Sequence, residues 1–450
     1  MLDLGTIVKA YDIRGLVPEQ LDAQVAHRVG AAFVHVTGAD ALVVGYDMRP
    51  SSPELAAAFA DGAAGQGADV IDIGLSSTDQ LYFASGHLDL PGAMFTASHN
   101  PARYNGIKLC GAGAAPFGAE SGLADVRALA ESGPLQRVRQ PGTVSRRDVL
   151  AAYADHLTGL VDISRNRRLT VVVDAGNGMA GHTVPAVFRD LPVDIVPLYF
   201  ELDGTFPNHE ANPLDPDNLL DLQAAVRSAH ADIGLAFDGD ADRCFVVDET
   251  GQPVSPSTIT ALVAVRELAR EPGGTVIHNL ITSRAVPEII REHGGVPVRT
   301  RVGHSFIKEE MARSGAIFGG EHSAHYYFRD FWRADTGMLA ALHVLAALGS
   351  QPRPLSELVR AFHRYAASGE INSRVADQAR AMAAVETAYA GLAGAQLDHV
   401  DGLTVQTDGW WFNVRPSNTE PLLRLNVEAA DDASVERIRD EVLSVIRAES

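Results

Sequence analysis

A serine next to a histidine, with an arginine and a lysine close behind, is the first chemistry the chain offers. The stretch MFTASHNPARYNGIKL, Met94 to Leu109, sets Ser98, His99, Asn100, Arg103 and Lys108 around Pro101, which forbids a continuing helix. A serine hydroxyl is a weak nucleophile and needs help from its surroundings. A second stretch, DGDADR, places Asp238, Asp240 and Asp242 at alternating positions in a tight loop, able to turn oxygens toward one point. A hard divalent cation is the natural occupant of such a loop. The spacing also mimics a calcium loop, with Glu249 at position 12, but position 6 is Arg243 instead of glycine and the flanks read as strands. Three monodentate carboxylates leave room for a phosphate oxygen, which suits magnesium.

Two further loops carry polar groups. RPSNTEPLLR supplies Arg415, Ser417, Asn418, Thr419 and Arg424, the forks, hydroxyls and amides that a dianionic phosphate takes. GGEHSAHYYF presents Glu321 and Ser323 after two glycines, a pair able to accept from and donate to sugar hydroxyls. TRVGHSFIK adds His304 at a predicted helix start, where a cap or a packed core residue is the plainer alternative.

Positioning these loops requires a scaffold, and the strands repeat threefold. ALVVGYDMR, ADVIDIG and GAMFTASHN form one pass; LTVVVDAGNG, PVDIVPL and ADIGLAFDGDADR a second; GTVIHNLITS, GVPVRTR and GAIFGGEHSAH a third, each with a helical stretch after its first strand. Short Val/Ile-rich runs without alternation predict strands buried on both faces, in parallel βαβ units. In such sheets ligands gather at the carboxyl ends of strands, and the third strand of each repeat ends in one of the polar loops. Beyond about Ala366 the pattern changes to a helix-rich stretch, then alternating strands and a terminal amphipathic helix. The expected fold is α/β: three similar domains with mixed, mostly parallel sheets over residues 1–150, 151–252 and 253–365, plus a smaller α+β domain over 366–450, all around a central cleft.

Composition narrows the partners. A formal net charge of −20 argues against nucleic acid or an anionic membrane surface, so small anions would need local cationic pockets. Lysine occurs only at positions 9, 108 and 308, so Lys108 in the serine stretch reads as a titratable cation retained for a purpose. Two cysteines, Cys110 and Cys244, exclude a disulfide framework. With no basic-then-apolar amino terminus and no run suited to a membrane span, the cytoplasm is the expected location.

These stretches, with YDIRG at Tyr11 to Gly15 and DGTFPNHEANP at Asp203 to Pro213, resemble in order the α-D-phosphohexomutase family across nearly the whole chain. The resemblance implies an isomerase in which Ser98 carries a phosphoryl group and Mg2+ is held by that phosphate and by Asp238, Asp240 and Asp242. The phosphoryl group is lent to a hexose phosphate, giving a hexose 1,6-bisphosphate that is activator and intermediate, and is recovered from its other end. It further implies catalytic roles for Arg14, Lys108 and His304. Tyr11, His99, Arg243, Glu321, Ser323 and His325 would contact substrate, and Arg415, Ser417, Asn418, Thr419 and Arg424 would grip the distal phosphate. GEHSAH followed by Tyr326 is closer to the mannose-phosphate members, with glucose phosphates as additional substrates. A phosphoglucomutase or phosphoglucosamine mutase is the alternative within the family. Outside it, a magnesium-dependent phosphatase would use an aspartyl nucleophile, and a sugar-phosphate sensor would bind without turnover. Neither oligomeric state nor a role for DGTFPNHEANP is legible.

Overall fold

The computed structural model describes residues 3–416 and 422–448, with His304 described by its backbone alone. Within these residues the chain forms four sheets. In the first, Ala41–Tyr46 lies between Asp69–Leu75 and Gly92–Phe95, all parallel. In the second, Leu169–Asp174 lies between Val193–Leu198 and Ile233–Phe237; in the third, Thr275–Asn279 lies between Val296–Thr300 and Phe318–Gly320. The threefold repeat is thus one topology used three times. Each time the chain steps to one side of its first strand and then crosses to the other, and the polar loop follows at that switch point.

A fourth, antiparallel strand returns from each polar loop and makes the sheets mixed: Tyr104–Gly111, Cys244–Asp248 and Tyr326–Phe328, the second being the strand expected after the aspartate loop. Each loop is therefore tied down at both ends by strand pairing. The Val/Ile runs are buried on both faces as their composition requires, with Val171, Val172 and Val173 all inaccessible. Helices close the layers and stop at recognisable signals. Ser77 caps the helix Thr78–Leu88 by accepting from Gln80 N, and Asp89 ends it in the left-handed region.

The expected helix-rich start of the last domain is instead a strand, Ala366–Arg374, antiparallel to Leu422–Ala429, with a bulge between Ala367 and Glu370. Gly369 sits there at φ 67°, a conformation that glycine adopts without cost. The helix Gln378–Tyr389 follows, and the amphipathic helix Asp432–Ala448 packs across the same sheet.

One apolar core runs through the first three units, from Val43 and Met94 through Val172 and Leu235 to Val276 and Leu339. The last unit has a core of its own, built from residues such as Phe412, Leu425 and Ile438. It meets the third unit through Arg284, which donates to Thr407 O and Asp408 O, and around a cavity of about 520 Å3 lined by His278, Arg284, Arg291, Arg299, Gln406 and Trp411. Among the described residues no helix is long and apolar enough to cross a membrane.

Candidate active site

The strand Gly92–Phe95 delivers Thr96, whose hydroxyl accepts from Ser98 N at 2.8 Å, turning the chain so that Ser98 adopts φ 51°. A left-handed serine is uncommon and needs such fixing. Ser98 Oγ donates to Asp238 Oδ2 at 2.7 Å, across the boundary between the first two units, and lies 3.2 Å from His99 Nδ1. Arg243 Nη2 donates to that same Nδ1 at 2.6 Å. Burial first, then the charges of Arg243 and Arg14, hold His99 well below its ordinary value, so the ring is neutral and a weak proton acceptor.

The aspartate loop follows the strand Ile233–Phe237. Asp238, Asp240 and Asp242 are almost wholly buried, and one oxygen from each lies within 4.8 Å of the others. Burial pushes Asp238 up, with Asp242 and Asp240 adding to the shift against Arg243. Burial would raise Asp240 too, but Lys108 holds it well below the carboxylate range. Lys108 Nζ bonds Asp240 Oδ2 and Asp242 Oδ2 at 2.6 Å each. The other oxygens, Asp240 Oδ1 and Asp242 Oδ1, are buried without a hydrogen-bond partner. Orphaned carboxylate oxygens converging beside the serine hydroxyl fit a hard cation, which would supply the missing charge. Glu249 is turned away onto Ser356, which disposes of the calcium-loop pattern. A second trio, Asp242, His325 and Asp335, also converges, but Asp335 already holds Lys308 Nζ at 2.8 Å.

Glycine between the first two aspartates is a steric requirement. A Cβ on Gly239 would lie 2.4 Å from Ser98 O, so no other residue lets the two loops approach so closely.

The third loop meets the second through a backbone bridge between Arg243 and His325. Ser323 Oγ and His325 Nδ1 are 2.9 Å apart. Glu321, 2% exposed, accepts from Tyr327 Oη at 2.7 Å and from Asn279 Nδ2 and Gly303 N at 3.1 Å each. Arg243 is equally buried, its guanidinium on Asp238 and His99. Arg14 donates to Asn100 Oδ1 and to Asp12 Oδ2, so it lies beside the serine loop. Tyr11 packs edge-on against Phe306 and over Gly303, at the start of the helix that His304 opens; the His304 side chain lies outside the described residues.

In the last unit Arg415 and Arg424, paired across neighbouring strands, share the single carboxylate of Glu370 at 2.9 and 3.3 Å. Among the described residues, two guanidinium groups share this one acid, and both Nε atoms are buried and unpartnered. Ser417, Asn418 and Thr419 lie outside the described residues.

The structure brings together residues that sequence reasoning did not single out. Thr78 Oγ1 donates to Asp240 Oδ2 at 2.6 Å, and its N–H to Asp240 O at 3.0 Å. Tyr327 and Asn279 fix Glu321 as described above. Thr78 stands at the start of a helix, where a threonine reads as an ordinary cap, so no local signal marks it.

Comparison with known proteins agrees in all four units. The signatures of phosphoglucomutase/phosphomannomutase alpha/beta/alpha domains I, II and III match residues 5–133, 151–251 and 255–365, and that of the C-terminal domain matches 370–445. A phosphomannomutase of Salmonella typhimurium is 42% identical, covering 97% of this chain and 98% of its own. A protein of Xanthomonas campestris named for phosphohexose mutases is 41% identical over the same shares. The crystal structure of a phosphoglucomutase/phosphomannomutase family protein from Burkholderia thailandensis superposes with a TM-score of 0.91 at 34% identity, covering 100% of this chain and 98% of that one. With four matching domains in order and a serine set against an aspartate cradle, the chain belongs to the phosphoglucomutase/phosphomannomutase family, the α-D-phosphohexomutases.

Proposed function

We propose that this chain is a phosphomannomutase, an isomerase that interconverts mannose 6-phosphate and mannose 1-phosphate and also accepts glucose phosphates. The observation that carries the reading is the 2.7 Å hydrogen bond from Ser98 Oγ to Asp238, which puts the hydroxyl at the rim of three convergent carboxylates. Relatives at about 41% identity that bear the phosphomannomutase name support the substrate class.

Ser98 is the phosphoryl carrier. The sugar hydroxyl attacks phosphorus, the bond to Ser98 Oγ breaks as the bond to the sugar oxygen forms, and the hydroxyl proton leaves to a nearby base. The product is a hexose 1,6-bisphosphate, also the species that primes an unloaded enzyme. After it turns over in the cleft, its other phosphate faces Ser98 and returns. Asp238, Asp240 and Asp242, with an oxygen of the phosphorylated serine, would hold Mg2+. That ion neutralises charge on the transferring oxygens.

The remaining residues bind and orient. Lys108 sits on Asp240 and Asp242 and can also reach the phosphoryl oxygens; Arg14, held beside Asn100, faces the same group. Arg14, Lys108 and His304 are together the candidates for polarising the phosphate and managing the sugar hydroxyl proton. Burial, with Arg243, keeps His99 neutral, and Arg243 aims Asp238. Glu321 and Ser323 read the 3- and 4-hydroxyls, with Tyr11 and His325 on the flanks. Arg415 and Arg424, with Ser417, Asn418 and Thr419, grip the phosphate that is not reacting. The domain limits 1–150, 151–252, 253–365 and 366–450 and a cytoplasmic location complete the proposal; Cys110 and Cys244 are both free and buried.

Two measurements test it. Ser98→Ala should lose ~10⁴-fold or more in kcat, and intact mass with peptide mapping should find the phosphate on Ser98. Phosphate on an aspartate, or turnover kept in the variant, would overturn the mutase. In a side-by-side assay with Mg2+ and bisphosphate, mannose 1-phosphate should show the higher kcat/KM; the reverse order would reassign the substrate.

A further inference from the structure

The segment DGTFPNHEANP, Asp203 to Pro213, has no part in the chemistry above, yet its polar residues are engaged in ways that aim it at one place. Asp203 Oδ1 accepts from Thr205 N and Oγ1 at 2.9 and 2.7 Å, closing a tight turn. Asn208 Nδ2 donates to Asn177 Oδ1 at 2.8 Å, and His209 Nε2 lies 3.0 Å from Asp174 Oδ2. These contacts anchor the segment to the second unit. From there Phe206, held at φ 54°, lays its ring 5.1 Å from the guanidinium carbon of Arg49 in the first unit. Gly204 presses on the same residue: a Cβ there would lie 2.5 Å from Arg49 Cα.

Arg49 is 1% exposed and lies directly beneath the serine loop. Its Nη2 donates to Ser98 O at 2.8 Å and Asn100 O at 2.7 Å, and its Nη1 to Pro101 O at 3.0 Å and Tyr104 O at 2.9 Å. Its Nε donates to the buried Asp47 at 3.2 Å. All five N–H bonds of the guanidinium are therefore used, three of them on carbonyls of the loop that carries Ser98 and one on the first residue of the strand that follows it. Asp47 in turn accepts from Arg49 N and Ser52 Oγ, which fixes the stem.

We infer that Asp203–Pro213 is an interdomain clamp: through Phe206 and Gly204 it fixes Arg49, and Arg49 holds Ser98 in its left-handed conformation against the aspartate loop. Arg49 and Phe206 are positioning residues for phosphoryl transfer. The inference rests on the reading of Ser98 as the phosphoryl carrier. It explains why a segment of the second unit reaches into the first, and why the group beneath the serine is an arginine. A lysine has neither the fork nor enough donors to span four carbonyls.

The test uses the full-length enzyme with Mg2+, hexose 1,6-bisphosphate and mannose 1-phosphate, comparing Arg49→Lys, Phe206→Leu and Phe206→Tyr with Ser98→Ala. A displaced nucleophile costs turnover without loosening the grip on substrate. Arg49→Lys should lower kcat ~100-fold and leave KM within ~3-fold. Phe206→Leu should lower kcat up to ~10-fold, with Phe206→Tyr restoring it because the ring face returns. Phosphorylation of Ser98 by the bisphosphate, read by intact mass, should slow in the same order. The clamp is overturned if Arg49→Lys turns over within ~3-fold of the parent, if Phe206→Leu and Phe206→Tyr behave alike, or if the kcat loss only tracks a loss of folded protein. Should Arg49→Lys fail to fold, because Asp47 is left buried without its fork, the Phe206 pair decides. Turnover retained in Ser98→Ala would instead overturn the mutase reading itself.

Discussion

The serine–aspartate centre and the arginine pair of the last unit, the two places to which the proposed function assigns phosphate, are built in opposite ways. Around Ser98 the three aspartates and Arg243 are buried, each bonded to a partner in the first unit, and they sit against a core that continues through three units. Arg415 and Arg424 stand on a sheet with a separate core and share one acid, and they reach the rest of the molecule across a polar seam. The difference follows the chemistry. Transfer between oxygens needs a nucleophile and its charge-neutralising groups held within a fraction of an ångström. Gripping the far phosphate of a substrate that must turn over needs an element able to let go and close again.

Four experiments would break or sharpen that contrast. The largest effect belongs to the fixed centre: Asp240→Asn should cut kcat by ~10²–10³-fold, while the thermal midpoint of the metal-free protein moves little. The variant weakens the Lys108 ion pair but leaves Lys108 on Asp242, keeps the bond to Thr78 and relieves crowding among three acids. A large drop in that midpoint would mean the carboxylates serve the fold first.

Phe412→Ala comes next. Phe412 is fully buried in the separate core, so the variant should cost about 3–5 kcal/mol of local stability. By calorimetry the last unit should melt earlier while the transition of the other three stays put. A single transition that shifts as a whole would show that the seam transmits stability.

Arg415→Ala removes one fork of the gripping pair. It should raise KM ~10-fold or more and change kcat less, the reverse of the Asp240→Asn pattern. An unchanged KM would place the distal phosphate elsewhere.

The smallest effect concerns the seam. His278 lines its cavity and is held near 4, by burial first and by Arg299 and Arg291, against the hydrogen bond to Asn279 O. The unfolded chain, with a value near ~6.5, takes up the proton first, so stability present at neutral pH is lost as pH falls from about 6.5 toward 4. Between pH 7 and 5.5 this group should cost ~1 kcal/mol, and His278→Gln should flatten that part of the denaturation profile. An unaltered slope would remove His278 from the account.

How much of this was legible in the chain depends on the range of the interaction. Runs such as VVVD and the loops they deliver are local statements, and the threefold order with its polar loops could be read directly. Of the returning antiparallel strands, the one after the aspartate loop could be read, whereas YYF after GEHSAH is too short to separate a strand from a loop. The strand Ala366–Arg374 was obscured for a related reason: its bulge at Gly369 breaks the alternation that marks a half-exposed strand. Among site residues, the three aspartates advertise themselves by spacing, and Ser98 by the resemblance of its loop to the family's. Arg49 and Thr78 do not, since a strand-end arginine and a helix-cap threonine are common and their partners lie far along the chain.

The cavity between the third and fourth units has a thermodynamic corollary. Its walls mix guanidinium, imidazole and amide groups with Leu280, Pro287, Pro297, Tyr365 and Trp411, so widening the seam uncovers polar and apolar surface together, whose heat-capacity contributions oppose each other. Swinging the terminal unit outward should then proceed with almost no change in heat capacity, and cooling or warming the enzyme would barely bias the open state against the shut one.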